Sequence, residues 1–235
     1  LSYLLKRYVF HESGTLVSGI IGGLYSSTAT ISVLARKSRK ASEQEATDYV
    51  AAMLLAVSMM FLRFMILILI FSREIFLSIY PYLLTMAVVA AIVAWFIHSR
   101  QKRPENQSAE TEEDDSSNPL EFKVALIFAV LFVIFTFLTH YTLVYAGTGG
   151  LNLLSFVSGF SDITPFILNL LQNTGSVAAL IITACSMQAI ISNIMVNMFY
   201  ALFFAGKGSK LRPWILGGFG VVIVCNLVLL LFFYI

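Results

Sequence analysis

The sequence predicts an all-α polytopic membrane protein of two inverted repeats, each of about three transmembrane helices plus one broken, re-entrant helix. Three observations lead there. Of 235 residues, 58% are hydrophobic and 12% charged, whereas soluble domains carry roughly 25% charged residues. Five apolar stretches reach or approach the roughly 20 residues that a spanning helix needs. Two more are interrupted midway by small and hydroxyl-bearing residues, and the interruptions fall at matching places in the two halves. The net charge of +2 gives no basis for nucleic-acid binding.

The chain opens on Leu1–Leu5, apolar but too short to span, which reads as the tail of a first helix truncated before Leu1. Thr15–Ala35 is the first interrupted stretch. It begins with Gly19, Gly22 and Gly23, turns to Ser26, Ser27, Thr28 and Thr30, and runs into Arg36, Lys37, Arg39 and Lys40. Gly19 and Gly23 form a small-xxx-small pair that suits close helix packing. Tyr49–Ser72 and Ile75–His98 are spanning stretches. The polar segment 99–123 starts basic, turns acidic and reads as a cytoplasmic linker. Val124–Tyr145 spans next, Leu151–Leu171 is the second interrupted stretch, and Val177–Ala205 and Trp214–Ile235 complete the set. The organisation is therefore a first membrane repeat over 1–98, the linker over 99–123, and a second membrane repeat over 124–235.

The halves align through their interruptions. Gly14 falls on Gly149, Tyr25 on Phe160, Ser26 on Ser161 and Ser27 on Asp162; each interrupted stretch is followed by a long helix and a shorter last one. Identity is low, so the order of elements carries the match. Cations near helix ends favour the cytoplasm, and the clusters are Lys6/Arg7, Arg36–Lys40, Arg100/Lys102/Arg103 and Lys207/Lys210/Arg212. If both interrupted stretches cross fully, these clusters divide between the two sides. If each dips in and returns as a hairpin of two half-helices, all four share one side. Half-helices of about ten residues reach about 15 Å, half a bilayer. Three spans plus a hairpin per half invert the repeats, the layout of many secondary transporters. A broken helix that spans is the competing geometry.

Backbone that is non-helical at membrane depth leaves N–H and C=O groups unpaired, at several kcal/mol each, unless protein or a wet cavity covers it. The hydroxyls at the breaks can satisfy that backbone, join helices, or coordinate an ion. Two isolated charges accompany them. Arg63 lies inside "MMFLRFMILILIF" and Asp162 inside "SGFSDITPF". Intramembrane charges are costly and face a bundle interior or a cavity, usually paired, so Asp162 and Arg63 are expected to approach one another or to face one polar cavity. Gln188, Ser192, Asn193 and Asn197 follow i,i+4 spacing on one helix, Asn169 and Gln172 lie beyond Asp162, and Asn193 falls opposite Arg63 when the halves are aligned. Oxygen ligands with one carboxylate suit a hard cation or a proton, while the helix starts at Thr28 and Thr164 favour anions.

The remaining motifs are bland. Cys185 and Cys225 sit in apolar runs and read as packing residues; His140 lies near a helix end. "GKGSK" lacks the spacing of a phosphate loop, and "GFSD" is not a nucleophile elbow. No nucleophile–base pair and no Cys/His metal cluster are legible, so neither an enzyme nor an organic cofactor is expected.

The stretches "GIIGGLYSSTATISVLARKS", Arg63 and "SGFSDIT…SNIMVN" together resemble the membrane domain that follows the MgtC/SapB domain in some bacterial proteins, domain of unknown function 4010. The likeness covers nearly the whole chain. It implies an integral protein of a bacterial or archaeal inner membrane with a link to magnesium homeostasis. The functional expectation is a transporter or channel for a small ion, cation favoured (Mg2+, or a proton- or sodium-coupled solute). Its site would use Ser26, Ser27, Thr28, Thr30, Ser161, Asp162, Thr164 and Asn193, with Asp162 as the metal or proton ligand and Arg63 as counter-charge or gate. Gln188, Asn197 and Asn169 would line a pathway. The partners are then the lipid bilayer, a small ion, and a second copy of the chain as a homodimer. The alternative is a non-transporting module that binds and regulates another membrane protein.

Overall fold

The structure is a computed structural model. It describes residues 14–39, 41, 43–100, 120–160, 162–172, 178–206, 209 and 211–234. Ser161, Lys6, Arg7, Lys207 and Lys210 lie outside the described residues.

The described residues are helical, without a strand. In chain order the helices are α1 (Thr15–Lys37), α2 (Glu43–Phe71), α3 (Arg73–Ser99), α4 (Leu120–Ser158), α5 (Thr164–Gln172), α6 (Ala179–Ala205) and α7 (Arg212–Tyr234). Among the described residues five segments are long and apolar enough to cross a membrane: Thr15–Lys37, Thr47–Phe71, Arg73–Ser99, Ala179–Ala205 and Arg212–Phe232. Gly149–Ser158 is a shorter apolar helix. This is the composition and length pattern of an integral membrane protein.

The breaks have local causes. In α1, Ser26 adopts φ −155° and ψ 107°, an extended conformation that ends one half-helix. Its Oγ accepts from the Ala29 N–H at 3.4 Å, so it serves as N-cap of the next half. In α4, Gly147 adopts φ 57° and ψ −147°, backbone open to glycine, and separates the long first part from Gly149–Ser158. The chain leaves helical geometry again after Ser158 and resumes it at Thr164. Pro165 follows in the first turn of α5, where a missing N–H costs nothing. The turn from α2 to α3 is a single residue, Ser72, whose Oγ accepts from the Ile75 N–H at 3.4 Å.

The described residues fall into two compact units, each drawing on both halves of the sequence. One is taken from Leu1–Met60, Ala87–Lys123 and Asn197–Val221, the other from Phe61–Met86, Val124–Val196 and Val222–Ile235.

In the first unit, α1 lies against α2 with almost no separation. A Cβ on Gly19 would stand 2.3 Å from the Ala52 carbonyl oxygen, and one on Gly23 would stand 2.5 Å from the Ala56 Cα. Gly19 to Gly23 advances as Ala52 to Ala56 does, so the first half of α1 runs in the same direction as α2. Arg39, just beyond α1, donates from Nε to the Phe204 carbonyl and from Nη2 to the Phe203 carbonyl at 3.2 Å, closing the last turn of α6. Arg36 stacks over the Phe204 ring at 4.3 Å. At the open end of the α2–α3 hairpin, His98 Nδ1 meets Asp48 Oδ1 at 2.6 Å.

In the second unit, Gly149–Ser158 lies against α6 in the corresponding way. Cys185 Sγ reaches Asn152 Oδ1 at 3.5 Å, and a Cβ on Gly159 would stand 2.4 Å from the Ser192 side chain. Asn152 to Gly159 advances as Cys185 to Ser192 does, so this half-helix also runs in the direction of the helix that follows it. Tyr82 of α3 donates its buried phenol to Asn226 of α7.

Candidate functional site

The polar groups of the second unit gather at the break between Ser158 and Thr164. The half-helix before it ends in a tightened turn, with the Gly159 N–H on the Phe156 carbonyl at 3.3 Å and the Phe160 N–H on the Val157 carbonyl at 3.1 Å, which leaves acceptor capacity over. Ser192 Oγ of α6 donates to the Phe156 carbonyl at 2.6 Å, and Asn193 Nδ2 donates to the Gly159 carbonyl at 3.1 Å. Gly159 is what lets α6 come this close, since a Cβ there would also stand 2.7 Å from the Asn193 backbone nitrogen. Ser192 and Asn193 thus supply, from the neighbouring helix, the bonds that a break at membrane depth requires.

On the other flank the chain restarts as α5. Asp162 Oδ1 accepts from the Thr164 N–H at 2.9 Å and from the Thr164 hydroxyl at 2.7 Å. The carboxylate therefore bonds one of the N–H groups that a helix start leaves over, where the helix dipole favours negative charge. Arg63 of α2 donates from Nη2 to the same Thr164 Oγ1 at 3.5 Å. The hydroxyl donates a hydrogen bond to the acid and accepts one from the guanidinium. The two isolated charges therefore stand on either side of one hydroxyl. Asp162 is exposed and Arg63 half-buried in the chain by itself.

Asn169, on the following turns of α5, is buried and donates from Nδ2 to Thr136 Oγ1 of α4 at 2.8 Å. Gln188 is half-buried on α6, one turn from both Cys185 and Ser192. Its Oε1 is buried without a hydrogen-bond partner, as are the hydroxyls of Thr183 and Ser186 on the same helix and of Thr139 on α4. Sequence reading missed Thr183, Ser186, Thr139 and Thr136, because a single hydroxyl in an apolar run carries no signal of its own.

Ser26, Ser27, Thr28 and Thr30 belong to the first unit, as does Asn197. Ser26 is the N-cap described above. Ser27 and Thr30 are buried, and the Thr28 carbonyl accepts the Ser32 hydroxyl at 2.8 Å. The first break therefore uses at least part of its hydroxyl cluster on its own backbone. Among the described residues no three His, Cys, Asp or Glu side chains are grouped to hold a metal ion.

Long apolar helices, two of them broken at polar residues, define an α-helical integral membrane protein with a charged helix break. The chain belongs to the family described as domain of unknown function 4010, whose profile matches residues 1–205. It is 25% identical over 227 residues to a protein of Aquifex aeolicus (strain VF5) that bears the name "Uncharacterized protein", covering 94% of this chain and 96% of that one. No solved structure matches it.

Proposed function

We propose that this chain is a transporter or channel for a small ion, cation favoured, working at the charged break of the second repeat in a bacterial or archaeal inner membrane. The observation that carries the reading is the relay Asp162–Thr164–Arg63, a carboxylate and a guanidinium sharing one hydroxyl where the helix restarts. Intramembrane ionisable groups at broken helices mark ion pathways. Asp162 would take the cation or proton, and Arg63 would hold the acid's charge when no cation is there. Mg2+, Na+ and H+ are the candidates, Mg2+ through the magnesium link that the MgtC/SapB resemblance implies.

The helix contacts support inverted repeats with re-entrant hairpins. The first half of α1 runs beside α2 and in its direction, and the chain must be back at the start of α2 by Glu43. Gly149–Ser158 runs beside α6 in its direction, and the chain must be back at the start of α6 by Ala179. Each broken segment then enters and leaves on the side where the next helix begins. The grip of Arg39 on Phe203 and Phe204 sets the end of α6 beside the start of α2. These equivalent helices then run in opposite senses, as inversion demands, and Arg36–Arg39 shares a side with Arg212, as the positive-inside rule favours.

The alternative of a regulatory module needs an exposed small-residue face. Gly19 and Gly23 do not supply one, being covered by Ala52 and Ala56. The test is flux in proteoliposomes. Asp162→Asn should cut the flux of the transported ion by at least tenfold while leaving the protein folded. Unchanged flux in Asp162→Asn would remove Asp162 from the mechanism.

A further inference from the structure

We infer that the first half of α6 carries a second site, one for a dehydrated monovalent cation, held by Thr183 and Ser186. The inference deepens the transporter reading and rests on it for its role in transport. Thr183 and Ser186 are wholly buried (0% exposed). Neither hydroxyl has a hydrogen-bond partner, and neither does Gln188 Oε1, which is buried as well. A helical Ser or Thr ordinarily bonds back to the carbonyl one turn earlier, as Ser155 does here with Leu151 at 2.6 Å. Three polar atoms that forgo partners on one stretch of one helix are unusual, because each costs about 1–3 kcal/mol when left unsatisfied in a core.

The spacing fits a shared ligand. Thr183 and Ser186 are i,i+3 neighbours, about 5–6 Å apart at Cβ, and a cation between them would be met by both oxygens. Gln188 lies on a different face, with Cys185 and Ser192, the face that touches the half-helix before the break, so the pair Thr183 and Ser186 stands without it. The donor set decides the class of ion. The two hydroxyls are neutral, whereas Mg2+ gives up its water reluctantly and is held through carboxylates and phosphates. Neutral oxygens at close quarters are how membrane proteins strip and hold alkali cations. The site is therefore suited to Na+ or K+ rather than Mg2+, and it lies on the same helix as Ser192 and Asn193, which bond the break that carries Asp162.

The experiment is thermal unfolding of the purified full chain in NaCl, KCl, MgCl2 and choline chloride at matched ionic strength. Wild type, the double variant Thr183→Val/Ser186→Ala, and Thr183→Ser are compared. Na+ or K+ should raise the wild-type Tm above its choline value by about 3 °C at saturation. The double variant should lose that rise, and Thr183→Ser, which keeps the hydroxyl, should retain it. A double variant that melts higher than wild type in every salt, choline included, would mean dry, merely unpaired hydroxyls and would overturn the site. A salt response that survives in the double variant, or one confined to Mg2+, would overturn it too. Flux separates the two proposals. A cation-dependent Tm lost in the double variant, with no flux in wild type, keeps the site and removes transport; flux with no response to Na+ or K+ does the reverse.

Discussion

Gly159 shows how a single residue fixes the geometry of the charged break. Its missing side chain is what admits Ser192 and Asn193 to within bonding distance of the half-helix carbonyls. A methyl group there meets the Asn193 backbone, which cannot rotate away. Gly159→Ala should therefore destabilise the protein by about 1–3 kcal/mol, a Tm loss of several degrees in detergent. Gly149→Ala makes a matched control, because nothing lies within 4 Å of the position its Cβ would take. That helical position should tolerate alanine or gain from it. Equal tolerance of the two substitutions would contradict the close approach of α6. At this scale the sequence was informative about charge and silent about hydroxyls. Arg63 and Asp162 stand out because nothing else charged sits so deep in an apolar run. Thr164, which joins them, and Thr183 and Ser186, which lack partners, look like any of the chain's other hydroxyl residues until their neighbours are known.

Among the elements, the two broken helices follow one plan by different means. Both restart on a side-chain oxygen, the Ser26 hydroxyl in α1 and the Asp162 carboxylate before α5. The sequence placed both interruptions within a residue or two of where helical geometry fails, since hydroxyl and glycine clusters cannot be read as lipid-facing helix. It also named the long helices that follow each break. The division of Leu120–Ser158 at Gly147 was legible as well, because "YAGTGGL" reads as a stop between two helices. The end of α6 depends on a residue far away in the chain. Arg39→Ala removes two bonds to its last carbonyls and should cost about 1 kcal/mol. Backbone amide exchange should rise at Phe203–Gly206 and stay unchanged at Val50–Val57. No change at the α6 end would contradict the clasp.

For the whole molecule, the pairing of elements is what turns the described helices into a proposal about transport. Each following helix, α2 or α6, carries its preceding half-helix along its first part, and the start of α2 is tied to the end of α6. None of these pairings was visible in the sequence, which offered hairpins and spanning broken helices as alternatives and could only weigh them by the placement of cations. Helix contacts add a geometric criterion that basic clusters lack, because they give direction as well as side. The ion's identity stays a matter of oxygen chemistry at Asp162 and along α6, and it is settled by flux and salt titration. Topology can be settled more directly. In a background lacking Cys185 and Cys225, single cysteines at Gly14, Lys37 and Ser209, and at Ser72, Gly149 and Ala178, are labelled from either side of sealed vesicles. Inverted re-entrant hairpins require the first three to label from the cytoplasmic side and the second three from the opposite side. Labelling of Gly14 and Lys37 from opposite sides, or of Gly149 and Ala178 from opposite sides, would mean that a broken helix crosses the membrane, and the architecture on which the ion-transport proposal stands would fall.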